Sequence, residues 1–432
     1  MRDIFIRAEG DEGLSEGRLR EALTAAADAA GAGIRKVLIL PPDYTRLHSG
    51  AGFITNFLYH ELTRRGVDAD IMPALGTHVP MTDEQISSMY GDIPKERFIV
   101  HDWRHDVVKI GDVPGDYVAS VTGGLWTDGV PVEVNRRLVS GEYGLILSVG
   151  QVVPHEVVGM SNHTKNIFVG AGGSAMINCS HMIGAVCGME RMMGRADTPV
   201  RKIFDYASDH FLRGGPLVYA LTVTTAPAGN IRIHGLFIGE GRKCFEEAAA
   251  LSVEKNVDFV PRSLDFCAVM LDPSEFRSTW LGNKAVYRTR MAMADGGTLL
   301  ILAPGVERFG EDPECDRLIR KYGYSGRDRI LEALKSPENS DLRENLSAAA
   351  HLIHGSSEGR FRVIYAVERI SREEIEAAGY ESAEYAAAAE MIGLCSLSPG
   401  PNRIRGGGEI FYIPNPALGL WIAGDRFGRP TA

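Results

Sequence analysis

Long apolar runs, a basic excess and paired cysteines are all missing from this chain of 432 residues. No hydrophobic stretch nears the roughly 18 residues that a membrane helix needs, so no membrane span is expected. The 46 lysines and arginines are outnumbered by 56 acids, a formal charge of −10. Without a clustered basic face, that balance argues against nucleic acid and anionic membrane surfaces as partners. The six cysteines (Cys179, Cys187, Cys244, Cys267, Cys315 and Cys395) are scattered and form no CxxC. They read as reduced, buried thiols of a cytosolic chain rather than a disulfide framework. The first residues, MRDIFIRAEGDEGLSEG, carry acids where a signal peptide needs an apolar core; the expected location is the cytoplasm. No GxGxxG follows the first strand, and there is no Walker loop and no GxSxG, so a standard nicotinamide-dinucleotide domain is disfavoured.

What is present fits a globular protein of more than one core. Hydrophobic residues make up 44% and charged residues 24%, and this length exceeds what one core usually serves. Short aliphatic runs (KVLILPP, ADIMPALG, RFIVHD, YGLILSVG, DFCAVMLDP, GTLLILAPG, FRVIYAVE) read as strands buried on both faces. Between them lie helical patterns: GRLREALTAAADAA, ITNFLYHELTRRG, TDEQISSMYG, RTRMAMADGG and RDRILEALKS. Thr82 and Gln85 make a capping box at the start of the third. The alternation predicts two α/β domains with mainly parallel sheets and an active-site cleft between them. Residues 1–262 form the first domain and 263–432 the second, with the final segment packing back on the first.

Polar residues cluster where strands should end. Asp43, Thr45 and Arg46 follow KVLILPP, His78 follows IMPALGT, His101 and Asp102 follow RFIV, and His155 lies just past LILSVG. Open α/β sheets place their ligand crevices at strand C-termini, so these residues can converge. The run PHEVVGMSNHTKNIFVGAGGSAMINCSH puts His155, Lys165 and His181 within one glycine-interrupted segment. It offers a proton carrier, an amine and an imidazole metal ligand, the parts of redox or proton chemistry at carbon. Each has a plainer reading: a histidine satisfied by a loop hydrogen bond, an internal Asp–Arg pair in DYTR, a glycine cluster at 170–173 that only packs. If functional, Arg46 would clamp a substrate carboxylate and GAGG would cradle a phosphate. His101 and His105, at i and i+4, would share a helix face and bind a metal, although the preceding RFIV argues for strand and loop. Cys179, two residues before His181, adds a soft donor there.

Taken in order, PPDYTR, ALGTHVPMTDEQ, VHDWRHD, TDGVPVEVNRR, LILSVGQVVPHEVVGMSNHTKNIFVGAGG, the later His181 and NKAVYRTRMAMADGGTLLILAPG resemble the nickel-pincer lactate racemase family over most of the chain. The resemblance implies a racemase or epimerase that inverts C2 of a 2-hydroxy acid by hydride transfer to a nickel-pincer nucleotide. That cofactor is a pyridinium-3-thioamide-5-thiocarboxylate mononucleotide carrying nickel, delivered by cofactor-maturation enzymes. The resemblance makes His181 the protein's nickel ligand and Lys165 the thioamide-forming amine. His78 and His155 become the two acid–base groups, with Arg46 and Lys284 the partners of the substrate's carboxylate and hydroxyl region. Asp43, Ser161 and Gly170 fall beside the cofactor, Asp43 orienting Arg46 or the cofactor itself.

One stretch departs from the family. Its usual SGGxK followed by Pro-Gly is here Ser161-Asn162-His163-Thr164-Lys165, then Val169-Gly170. Two glycines have become side chains with donors, which suits a polyhydroxylated sugar acid (an aldonate such as gluconate or mannonate) better than lactate; the plain alternative is a repacked loop. Two rival classes stay open. A zinc- or iron-dependent hydrolase or lyase would use His101 and His105. A non-catalytic carrier of the cofactor would keep Lys165 and His181 without needing both His78 and His155.

Overall fold

The computed structural model describes residues 3–31, 33–404, 407–417 and 419–425. The chain divides into two compact units. One runs up to Ser180 and includes Met192–Asn256; the other takes His181–Arg191 and the chain from Val257 on. The division falls inside the helix Ser174–Cys187 and again at Asn256, a few residues before the expected boundary.

In the first unit six strands lie in the order Ile4–Arg7, Arg232–Gly239, Leu217–Thr225, Leu145–Gln151, Lys36–Leu40 and Asp68–Ile71. The last four run parallel, with Leu40 opposite Ser148 and Ile39 opposite Ile71. Pro41 and Pro42 end the Lys36–Leu40 strand, because proline has no N–H to give the ladder. The helix Ala51–Arg64 buries Ile54, Leu58 and Leu62 against this sheet, one stripe at i, i+4 spacing. Each such side chain contributes roughly 1.5–3 kcal/mol by leaving water.

The second unit has its own sheet, in the order Glu381–Glu384, Arg362–Val367, Met293–Ala303, Leu264–Met270, Glu409–Ile413 and Gly400–Arg403. Its first five strands are parallel and only Gly400–Arg403 is reversed. Mainly parallel α/β sheets are thus what both units contain.

Three expectations are corrected. RFIVHD is no sheet strand: Phe98 makes one bridge to Ile71, and Val100 is exposed. RTRMAMADGG is helical only in its first residues, since Lys284–Thr289 is helix and Met293–Ala303 is strand, with Gly296 left-handed at φ 77°. The strands Leu217–Thr225 and Arg232–Gly239 were not anticipated, although LVYALTVTT is rich in β-formers. Glu409–Ile413 pairs with Leu264–Met270, and Leu420–Ala423 lies parallel to Val257–Val260; residues 426–432 lie outside the described residues. No described helix is long and apolar enough to cross a membrane.

Candidate active site

Three loops leave the C-terminal ends of adjacent parallel strands in the first unit, and backbone bonds lace them together. The Ala74 N–H donates to Pro41 O at 2.8 Å, and the Gly76 N–H to Gly170 O at 2.8 Å. Asn166 Nδ2 reaches Leu40 O at 3.2 Å and Ser148 Oγ at 2.9 Å, anchoring the loop after Lys165 on two strands at once. Lys165 itself immediately precedes a π-helical turn, Asn166–Gly170, a rare conformation frequent at functional sites.

On the first loop Asp43 is buried at 5% exposure. Its Oδ1 accepts from Thr45 Oγ1 at 2.5 Å, and its Oδ2 pairs with His78 Nδ1 at 2.5 Å. Burial alone would raise this carboxyl's pKa, but the His78 hydrogen bond and charge, Thr45 and Arg46 outweigh it and hold it below the usual value. An ionised Asp43 accepts, so the His78 proton sits on Nδ1 and the Nε2 lone pair points away from Asp43. Arg46 donates from Nη1 to Thr45 Oγ1 at 3.1 Å. Asp43 therefore orients His78 directly and Arg46 only through Thr45, where an Asp43–Arg46 pair was one expectation. The Tyr90 hydroxyl, buried, donates to Pro42 O and fixes the loop from beneath.

His155 sits on a two-residue ladder, Pro154–His155 against Gly159–Met160. Gly159 has φ 88°, and a Cβ there would lie 2.2 Å from Arg195 O, so glycine is required. Ser161 closes this hairpin: its Oγ donates to Gln151 O at 2.7 Å and accepts from the Val153 N–H at 3.0 Å. The Val157 N–H donates to His155 Nδ1 at 3.1 Å. The nearer Glu156 oxygen, 3.9 Å away, is too far to compete. Neutral His155 thus carries its proton on Nε2, the opposite tautomer from His78.

The Lys165 amine is pushed down to about 8, first by burial and then by the Arg46 charge, with Glu156 and Asp43 pulling the other way and Arg201 adding to the fall. Lys165 thereby shares an electrostatic neighbourhood with the Asp43 loop and the His155 hairpin. A half-neutral amine near pH 8 is a nucleophile able to carry an acyl-type link. His181, on the helix Ser174–Cys187, and Lys284, opening the helix Lys284–Thr289 with its Nζ 5.6 Å from the Phe276 ring centre, belong to the second unit.

Several sequence candidates take structural parts. His101 is buried with both nitrogens used: Asn135 Nδ2 lies 3.0 Å from Nδ1, and Nε2 lies 3.1 Å from Gly172 O. His105 is exposed and pairs with Asp102, and the HDWRHD segment is not helical. The His101/His105 metal pair of the hydrolase reading is therefore overturned. Among the described residues no three His, Cys, Asp or Glu side chains gather around a common point. GAGG is not a phosphate cradle. Glu133 Oε2 already accepts from Ala175 N at 3.1 Å, a Cβ on Gly173 would meet that same carboxylate at 2.3 Å, and one on Gly170 would meet Ala74 Cβ at 2.8 Å. Cys179 has its thiol pushed up to about 11 by burial, which removes it as a ready thiolate. His163, expected to add a donor beside the cofactor, instead lies buried with its ring 4.0 Å from Tyr219 and 5.2 Å from Phe245.

Sequence reading missed the groups behind the Lys165 loop. Arg201, Thr164 and Asp205 are joined there, Arg201 Nη1 to Thr164 Oγ1 at 2.8 Å and Thr164 Oγ1 to Asp205 Oδ1 at 3.0 Å. The only signal in the sequence was an arginine within the helix Pro199–Phe211, which normally marks a solvated face.

The class defined so far is an α/β protein with two loop histidines and a low-pKa lysine on loops that follow parallel strands. Residues 19–193 match the lactate racemase N-terminal domain family. That family is named for an isomerase of a 2-hydroxy acid. A protein from Thermotoga maritima shares the fold at 24% identity and a TM-score of 0.79, over 96% of this chain and 99% of that one. The lactate racemase apoprotein from Thermoanaerobacterium thermosaccharolyticum does so at 17% identity and a TM-score of 0.71, over 96% and 95%. No curated protein matches the sequence.

Proposed function

We propose that the protein is a racemase or epimerase inverting C2 of a 2-hydroxy acid, with His78 and His155 as its proton carriers. The observation that carries this reading is that each ring is held through Nδ1, His78 by Asp43 and His155 by the Val157 N–H, which leaves each Nε2 for proton exchange. Asp43 leaves His78 with an Nε2 lone pair, ready to take a hydroxyl proton. The Val157 N–H bonds His155 at Nδ1 and leaves Nε2 as the nitrogen through which that ring would exchange a proton. A separate proton-exchanging imidazole for each face is what an inversion through a planar 2-keto acid asks of its protein. A carrier of the cofactor would have no use for it.

The donor set fits a nickel-pincer nucleotide. Lys165 offers the low-pKa amine for its link and His181 a single imidazole for nickel, the metal's remaining donors belonging to the cofactor. When bound, the group supplies the hydride acceptor. Arg46 spends one terminal nitrogen on Thr45, and the rest of its fork matches a carboxylate bidentately; Lys284 is the second cation assigned to the substrate.

Within 2-hydroxy acids we infer a sugar acid of the aldonate type. That preference rests on the departure in sequence alone, since Asn162 and His163 are both buried, at 7% and 4% exposure. The same packing favours the alternative, a short-chain acid such as lactate. Protein made with the cofactor-maturation enzymes should invert one of lactate, gluconate or mannonate. His78→Ala and His155→Ala should each lose turnover while keeping nickel and the cofactor's added mass. Near-normal activity in either variant would remove the two-histidine mechanism, and turnover of lactate alone would end the sugar-acid reading.

A further inference from the structure

The turn before Lys165 has an unusual backbone. Asn162 (φ 60°) and His163 (φ 55°) are both left-handed, and of the described non-glycine residues only Glu358 shares that trait. Two such residues in succession persist only where their surroundings hold them. Here the surroundings are side chains of the helix Pro199–Phe211 and the residue that caps it. Arg201 is fully buried, and each of its guanidinium bonds goes to this loop: Nη1 to Asn162 O at 3.1 Å and to Thr164 Oγ1 at 2.8 Å, Nη2 to Met160 O at 2.6 Å. The guanidinium stacks 4.2 Å from the centre of the Phe245 ring, against which the His163 ring also packs. Thr164 passes the contact on to Asp205, which Arg242 also binds, and Thr198 Oγ1 holds Val158 O at 3.0 Å.

We propose that Arg201 is a positioning residue for Lys165: its buried fork clamps the 160–164 loop from behind and keeps the lysine turned into the site instead of out to water. The chemistry of the choice supports this. Burying a guanidinium is costly, the more so because Arg201 Nε has no hydrogen-bond partner, and an apolar side chain would fill the same space more cheaply. What an arginine adds is three directed bonds, and all three end on the turn. Asn162 O, one of its acceptors, also receives the Lys165 N–H at 3.2 Å, so the clamp acts one bond from the lysine backbone. The charges that face the amine are Arg46, Glu156, Asp43 and Arg201 itself.

The inference rests on the reading of Lys165 as the cofactor-bearing amine only for its purpose, and its test needs neither cofactor nor substrate. Full-length cofactor-free protein is labelled with trinitrobenzenesulfonate between pH 6 and 11, and the Lys165 peptide is quantified by mass spectrometry. Wild type should label with a midpoint near 8. Arg201→Lys keeps the charge but cannot make the three bonds. It should release the turn and raise the midpoint by at least one pH unit, toward the value of about 10.4 for a lysine in water. A folded Arg201→Lys with its midpoint still at 8 overturns the proposal. Should that variant not fold, Thr164→Val decides by the same criterion: it removes a single hydroxyl and leaves every charge in place. Loss of catalysis with normal labelling would count against the two-histidine reading, not against the clamp.

Discussion

Replacing Asp43 by Asn tests the His78 assignment at its root. The wild-type carboxylate uses one oxygen for the Thr45 hydroxyl at 2.5 Å and the other for His78 Nδ1 at 2.5 Å. The Thr45 hydroxyl is a donor there, so an asparagine in this place turns its carbonyl toward Thr45 and its NH2 toward the imidazole. The ring must then accept at Nδ1 and carry its proton on Nε2, which leaves His78 no lone pair there to act as a base. A correctly placed general base contributes about 10²–10⁴-fold, and a reversed tautomer in an Asp–His pair costs up to about 10⁴-fold. The expected loss is about 10³ in kcat/KM, close to 4 kcal/mol of transition-state stabilisation. The equilibrium constant belongs to the substrate pair, so kcat/KM must fall by the same factor in both directions, which makes an internal check. The assay is epimer interconversion by polarimetry or chiral chromatography, with nickel content and intact mass measured on the same sample. Holoenzyme retaining activity within about threefold of wild type would refute the tautomer argument.

Three further outcomes follow from the same geometry. Lys165→Met should stabilise the cofactor-free protein at pH 7: an amine whose pKa drops to about 8 on folding costs up to about 3 kcal/mol while protonated. Between pH 8 and about 10.4 only the unfolded chain holds that proton, so the advantage of the variant should shrink across this window and vanish above it in thermal melts. Glu190→Gln removes the carboxylate held by Arg290, itself 3% exposed, and by Arg360, and should cost the second unit about 2–3 kcal/mol in urea unfolding. Burial raises the Glu190 pKa but the two arginines bring it below 4.5. Its contribution is therefore present above the unfolded carboxylate value and is lost as the pH falls through the folded one, so wild type and variant should converge in acid. Of the six thiols only exposed Cys395 should react quickly with a disulfide reagent at pH 7.5, since burial pushes Cys179 up to about 11, Cys244 and Cys315 up to about 12, and Cys187 and Cys267 upward as well.

The parallel sheets and the convergence of the Asp43, His78 and His155 loops were legible because strand C-termini announce themselves as aliphatic runs followed by proline, glycine and polar residues. Lys36–Leu40, Asp68–Ile71 and Leu145–Gln151 proved to be neighbours, so their loops share one edge. RFIV misled because aliphatic composition cannot report whether a partner strand lies alongside. GAGG misled because a glycine cluster looks the same whether it makes room for a phosphate or for Glu133. The strands Leu217–Thr225 and Arg232–Gly239 went unnoticed in a region without a polar landmark. Arg201 could not have been found at all: whether an arginine on a helix faces water or a loop 40 residues earlier depends on tertiary packing that local pattern does not encode.

The two histidines show why residue type alone could not assign their roles. Both follow strands, and as letters they are interchangeable. The difference lies in what reaches Nδ1: for His78 a carboxylate 35 residues away in sequence, for His155 a backbone N–H two residues on. The first device depends on a side chain and can be removed by mutation; the second depends only on the hairpin that Ser161 and Gly159 close. The proton state of His78 is thus set by one replaceable group and that of His155 by the fold of its loop. Disturbing the fold of that loop, by Ser161→Ala for instance, should act on His155 without touching the pairing of Asp43 and His78.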